Sequence, residues 1–380
     1  MQKYFKWFVV LFLFLVVYGI YSISTRSSKQ PGLESKLTEE KILTFLFSGY
    51  DEKEEYSFGL FVFLHPTQKK CGLFFINPIA SFDNGESTLQ EKKKSVTKYL
   101  TPKLESLTGL KVNYTLEINS KQFKSIIDFL SGVNHFEEWV NPKLKTNSFS
   151  FKRASGDQII FGEEALELVS KLDNTQENYL HRLYNQQSLF LNLYDKISSP
   201  EFEFKKEYIY LGPKFFDSEL KEQDYFALIQ YLKKNQLIIS SGEIPGEFQY
   251  DEKTKKGKLI IKEDIANLAF TKLTSFLSSG DYLYGELSRV EILNNTETSG
   301  LAKSAKSILA EKNFKVLSTG NGESSNLKKS IVLDRSGNAE YSYRIAKILG
   351  IKSTRHSINN ELGLDATVML GEDFEIKKAK

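Results

Sequence analysis

Few of the chain's chemically capable side chains fall at spacings that make a site. Asp51 follows a short apolar run and opens the charged stretch Asp51-Glu-Lys-Glu-Glu. The end of a buried strand is where catalytic or metal-binding carboxylates collect, so Asp51 is the candidate acid or cation ligand. Such charged runs are also the ordinary composition of a solvated loop. Arg182 and Gln186 stand four apart, which puts a guanidinium and an amide on one face of a helix. Leu180, Tyr184 and Leu191 lie roughly opposite, so the Arg182–Gln186 face is expected to meet solvent. The four histidines, His65, His135, His181 and His356, are scattered, and no two have the helical spacing of a zinc pair. Cys71 is the one cysteine, so neither an internal disulfide nor a paired-thiolate zinc site forms. Gly320-Asn-Gly322 lacks the strand–turn–helix setting of a phosphate loop and is expected to be a turn. Lys92, Lys93 and Lys94 form a basic cluster expected to face solvent or an anionic membrane surface.

The chemistry must be carried by a chain of 380 residues with 41% hydrophobic and 26% charged residues, a composition that buries a normal core. Lys+Arg number 51 and Asp+Glu 48, a net of +3, which argues against nucleic acid as a partner. Residues 7–25 carry no charge and are mostly Phe, Val, Leu, Ile and Tyr. At ~1.5 Å per residue such a helix reaches about 28 Å, close to the thickness of a bilayer core. Lys3 and Lys6 precede it, which favours residues 1–6 in the cytoplasm and a single span with the bulk of the chain outside. A cleaved signal peptide is the rival; the apolar run is long for one, and no clear small-residue cleavage site follows. Either way the protein is expected at the cell (inner) membrane, exported beyond about residue 25. Residues 26–40 read as a polar linker.

Beyond the linker, Ile42–Phe47 is a strand candidate, and Leu60–Leu64 with Leu73–Asn77 is a hairpin. Helices are expected over Val96–Leu107, with Pro102 marking its start, and over Lys121–Leu130, capped by Gly132. A strand, Tyr114–Ile118, separates them. Glu163–Leu172 and Gln176–Ile197 follow as helices. A second unit starts near Ser288 with the order β-α-β-β-α-β and one strand more: Val290–Leu293, Gly300–Lys312, Phe314–Leu317, Ser330–Leu333, Ala339–Leu349 and Ala366–Leu370. The class is α/β (α+β), a mixed-sheet domain over 41–280 and a small domain over 288–378.

Several stretches resemble the LytR–CpsA–Psr family of envelope proteins. Leu107-Thr-Gly-Leu-Lys-Val-Asn-Tyr and Phe123-Lys-Ser-Ile-Ile-Asp-Phe-Leu-Ser-Gly-Val look like its central strand and helix. Phe161-Gly-Glu-Glu-Ala-Leu, Arg182-Leu-Tyr-Asn-Gln-Gln and Ile244-Pro-Gly follow in the family's order. Val290-Glu-Ile-Leu-Asn-Asn-Thr-Glu-Thr-Ser-Gly-Leu-Ala and Val368-Met-Leu-Gly-Glu-Asp resemble the C-terminal domain often fused to it.

The resemblance implies transfer of a phosphate-linked glycopolymer from a polyprenyl pyrophosphate to peptidoglycan. That chemistry uses arginines to hold the diphosphate, and aspartates for magnesium and for proton handling. Most of those positions depart here. The first acid falls on Asp51. The family's Ile-Pro-Arg-Asp falls on Asn77-Pro-Ile-Ala, without Arg or Asp, and Asp83 is a displaced acid at best. Its Arg-x-Arg falls on Ser170-Lys171-Leu172, and its long-helix pair keeps only Arg182, the second Arg being Asn185. The implied phosphate-binding candidates are therefore Arg182, Lys171 and Gln186, and Asp51 is the implied metal or catalytic candidate. Each arginine lost from a diphosphate site costs about 2–5 kcal/mol, so a non-catalytic envelope protein is expected. It would bind a polyprenyl-linked lipid, peptidoglycan or another envelope protein. The alternatives are a surviving phosphotransferase, which would need magnesium as cofactor, and a scaffold acting through its C-terminal domain.

Overall fold

The apolar run that opens at Leu43 sends alternate side chains to two covered faces, so it reads as nearly uninterrupted hydrophobic sequence. The computed structural model describes residues 32–137, 156–170, 176–253, 256–279, 288–323 and 326–375. The expected membrane segment at 7–25 lies outside them. Among the described residues no helix is long and apolar enough to cross a membrane.

One helical turn, α1 (Leu33–Lys36), leads into β1 (Leu43–Tyr50), β2 (Tyr56–His65) and β3 (Lys70–Ile76). These pair as an antiparallel meander, with Leu46 opposite Phe61 and Leu60 opposite Phe75, so the expected hairpin is present. After β4 (Ala80–Ser81), α2 spans Val96–Thr108 with Pro102 in its interior. Pro102 therefore does not start this helix. The carbonyl left without a donor by the ring belongs to Lys98, an exposed residue, and solvent meets the need.

β5 (Tyr114–Asn119) runs parallel to β1, and Asn119 then caps α3 (Ser120–Phe129) in a reciprocal box with Gln122. α3 ends in a Schellman turn: the Gly132 N–H donates to the Ile127 carbonyl and the Ser131 N–H to the Asp128 carbonyl, both at 2.9 Å. Ser131 (φ 59) and Gly132 (φ 79) are both left-handed, so the expected glycine cap begins one residue early, on a serine.

β6 (Val133–Glu137) and β7 (Gly156–Ile160) form a two-stranded ribbon. Next come α4 (Gly162–Ser170), the long α5 (Gln176–Ser198), α6 (Gly212–Phe215), β8 (Asp217–Ser218) and α7 (Glu222–Lys234). β9 (Ile238–Glu243), β10 (Gly246–Asp251), β11 (Lys256–Ile261) and α8 (Glu263–Ser278) complete the unit. Its main sheet has the order β8-β5-β1-β2-β3-β9. Leu46, Phe61, Phe63 and Phe74 bury one face against Leu100 and Leu104 of α2 and Phe270 of α8. Phe45, Leu60, Leu64 and Phe75 bury the other against Leu183 and Leu191 of α5 and Tyr225 of α7. Each such side chain withdrawn from water contributes roughly 1.5–3 kcal/mol, and two covered faces fix the register.

The C-terminal unit is a five-stranded sheet, β13-β12-β16-β14-β15, built from β12 (Arg289–Asn294), β13 (Lys315–Asn321), β14 (Ile331–Asp334), β15 (Ser353–His356) and β16 (Ala366–Leu370). α9 (Leu301–Ala310) and α10 (Ala339–Leu349) cover one face through Ala305, Leu309, Ile345 and Leu349. Phe136 of β6 packs on the other, against Ile331, Leu333 and Met369. The extra strand expected here is β15. Gly320 and Asn321 end β13 instead of forming a free turn, because the Gly322 N–H is tied to the Asn294 carbonyl. The chain is thus a mixed α/β domain followed by a smaller unit of alternating strands and helices.

Candidate functional site

β1, β3, β5 and β9 all run in one direction, with β2 opposed between β1 and β3. Their carboxyl ends, Tyr50, Ile76, Asn119 and Glu243, share one rim of the sheet. Ligand crevices form at such rims, where several strands end together. α5 brings Tyr179, Arg182 and Gln186 to it.

Arg182 is 4% exposed and Gln186 0%. The expectation that this face is solvated is therefore wrong: it packs against Asn77 and the Val169 carbonyl of α4, and the exposed side of α5 at this level is that of His181. Arg182 Nη2 donates to Asn77 Oδ1 at 2.8 Å, and Asn77 Oδ1 also accepts the Ile79 N–H at 3.0 Å. Arg182 Nε and Nη1 and Asn77 Nδ2 have no partner among the described residues. Gln186 donates Nε2 to the Val169 carbonyl at 2.8 Å, and its Oε1 is unpartnered. Beside them the Tyr179 hydroxyl donates to Glu243 Oε2.

Electrostatics make this cluster unusual. Burial draws the Arg182 guanidinium down to about 10, which still leaves it charged at neutral pH. Burial pushes the Glu243 carboxyl up, and the Tyr179 hydrogen bond opposes that shift. No carboxylate pairs with Arg182 among the described residues. A buried unpaired cation costs several kcal/mol, and unfilled donors beside it add to that cost. Three donor nitrogens left unfilled around one positive charge are the complement of an oxyanion such as a phosphate.

The other candidates stand apart. Lys171 lies outside the described residues. Asp51 lines a polar cleft of about 490 Å³ with Asn119, Lys121 and Lys124, and neither Arg182 nor Gln186 lines that cleft. Asp51 Oδ1 accepts the N–H groups of Lys53 (2.9 Å) and Glu55 (2.8 Å), so the carboxylate closes the β1–β2 turn. Asp83 is likewise a loop staple. Burial pushes its carboxyl up, but hydrogen bonds from Ser81, Ser87 and Lys92 outweigh that and hold it well below the carboxylate range. Lys92 is drawn to Asp83 at 3.3 Å and over the Tyr99 ring, so it does not simply face solvent. Among the described residues no three His, Cys, Asp or Glu side chains stand close enough to hold a metal ion. Asp51 and Asp83 are thus each committed to hydrogen bonds within their own loops.

Asn77, Tyr179 and Glu243 escape the sequence reading. Tyr179 is three residues before Arg182 on one helix face, a signal that was available. Asn77 and Glu243 join them only through the register of β3 and β9.

Residues 288–374 match the family model described as LytR cell envelope-related transcriptional attenuator. Among solved structures, TagT bound to LIIa-WTA superposes with a TM-score of 0.51 at 15% identity, covering 66% of this chain and 95% of that one. TagV of B. subtilis does so at 0.50 and 15%, covering 64% of this chain and all of that one. At these identities the likeness establishes a shared fold. No curated protein matches the sequence. The chain therefore has a mixed-sheet domain that shares the fold of TagT and TagV, followed by a unit that matches the LytR C-terminal family model.

Proposed function

We propose that the chain is a cell-envelope protein of LytR–CpsA–Psr type, anchored by residues 7–25 with its bulk outside the cytoplasm. It binds a polyprenyl-linked phosphate ligand at Arg182 and does not turn it over. The carrying observation is the Arg182 guanidinium, charged, buried and supplied with one neutral partner, beside a second unfilled donor on Asn77. TagT, which shares the fold, was solved with LIIa-WTA bound. The absence of turnover rests on Ile79 and Ala80, which stand where the family resemblance places Arg and Asp, and on Asp51, which is committed to a turn. The uncharged run at 7–25, with Lys3 and Lys6 before it, supports the anchor.

Calorimetric titration of the chain lacking residues 1–29 with a polyprenyl diphosphate, with and without magnesium, tests the ligand. Binding should not depend on magnesium, and Arg182→Ala should weaken it by about 30-fold or more, the lower end of losing a buried charged partner. A wild-type chain that takes up no diphosphate would retire this function.

A further inference from the structure

The C-terminal unit touches the two elements that carry the candidate site, and it does so through buried polar groups. On α5, Ser188, Asn192 and Asp195 form one stripe (i, i+4, i+7). Ser188 Oγ accepts the Ile358 N–H at 2.8 Å. Asn192 accepts the His356 N–H at 3.0 Å and returns Nδ2 to the His356 carbonyl at 2.9 Å. These side chains do for the edge strand β15 what a neighbouring strand would do.

His356 itself is 0% exposed. Its Nδ1 faces Asp334 Oδ2 at 2.8 Å and its Nε2 faces Asp195 Oδ2 at 3.2 Å. Both nitrogens can donate only if both carry protons, so the ring is an imidazolium between carboxylates. The groups facing it are Asp195 and Asn192 from α5, Asp334 from β14 and the Tyr343 hydroxyl from α10, which donates to Asp195. Asp334 Oδ1 in turn accepts the N–H groups of Ser336 and Gly337, both at 3.1 Å. The Gly337 carbonyl accepts the N–H of Ser241 on β9 at 3.1 Å. Gly337 has φ +79, and a Cβ there would meet Ser241 Oγ at 2.1 Å.

A continuous chain of polar contacts thus runs Asp195–His356–Asp334–Gly337–Ser241, from α5 through the C-terminal unit to β9. Two residues beyond Ser241, Glu243 accepts from Tyr179 and closes the circuit back on α5. We infer that the C-terminal unit is the positioning element of the ligand site, and that His356, bridging Asp195 and Asp334, is the positioning residue that holds α5 and β9 in the register that sets Tyr179, Arg182 and Glu243. This rests on the Arg182 reading for the ligand, but not for the mechanical link.

The test uses the exported chain and Asp195→Asn, which leaves His356 with one carboxylate. Hydrogen exchange and farnesyl diphosphate affinity are followed from pH 7 to pH 9, below the value of about 10 at which Arg182 itself loses charge. In the variant, exchange should quicken over residues 176–198 and 238–243 while β1 and β2 keep their protection. Affinity should fall by about 2- to 30-fold, the range of mutations that modulate coupling without touching ligand. In the wild type the affinity should decline as His356 loses its proton, near pH 9, and the variant should decline at lower pH. A merely structural role would not move that profile. If Asp195→Asn does not fold, the wild-type pH series gives both readings. Faster exchange confined to residues 288–375 overturns the inference, as does unchanged affinity with α5 and β9 loosened. A wild type that ignores the probe, with α5 and β9 still responding to the variant, removes the ligand and leaves the positioning role standing.

Discussion

Arg182 is costly where it sits, and that cost separates binding from stability. A buried ion without a partner disfavours the folded state, and replacing one by an apolar side chain of similar volume is often neutral or stabilising by about 1–4 kcal/mol. Arg182→Met should therefore leave the urea-unfolding midpoint unchanged or raise it, while calorimetry shows diphosphate binding lost. A midpoint that drops sharply would mean that Arg182 serves the fold. Asp83 is the opposite case. Its carboxyl lies below the ordinary range, so its contribution is present above about pH 4 and is lost as pH falls through the depressed value. Asp83→Asn should cost about 1–2 kcal/mol at pH 7, as expected for weakened charge-assisted hydrogen bonds, with no effect on ligand binding.

Among the elements, α5 decides most. Its Leu183 and Leu191 made the helix legible, because apolar side chains at helical spacing need a core. Its Arg182–Gln186 face misled: both side chains are buried, with Gln187, Ser188 and Asn192 buried beyond them, and the periodicity of one helix cannot reveal that. Pro102 misled for a related reason, since tolerance of an interior proline depends on whether the orphaned carbonyl meets water. Asn192→Ala would leave the His356 N–H and carbonyl unpaired in a dry interface, at a cost of about 2–4 kcal/mol for two buried groups. Chemical denaturation of the chain and exchange of the His356 amide would both register it. Phe270, fully enclosed by Phe61, Phe63 and Phe74, should cost about 3–5 kcal/mol when cut to alanine.

For the whole molecule, the buried imidazolium sets a pH limit. Burial alone would lower the His356 value, but Asp195 and Asp334 outweigh it and raise it to about 9, above the unperturbed 6.5. A raised value means that the stabilisation is complete below about pH 6.5 and is lost as pH climbs through about 9. The melting temperature of the wild type should fall between pH 7 and pH 10, and that of His356→Gln should start lower and change less. The bidentate pair of Arg355 with Asp157 (2.7 and 2.8 Å) also ties β15 to β7, so a residual docking should persist once His356 is discharged.

The sequence by itself determined the strand and helix order of the C-terminal unit, the first strands and main helices of the larger unit up to α5, and the uncharged N-terminal run; β6, β7 and every element between α5 and β12 went unread. Those features follow from local periodicity and turn chemistry, which act within a few residues. The tertiary structure alone decided that Asn77, Arg182 and Glu243 share a rim, and that His356 bridges Asp195 and Asp334. Burial and pairing between residues over a hundred positions apart are set by how sheets and helices pack, and no local pattern encodes them.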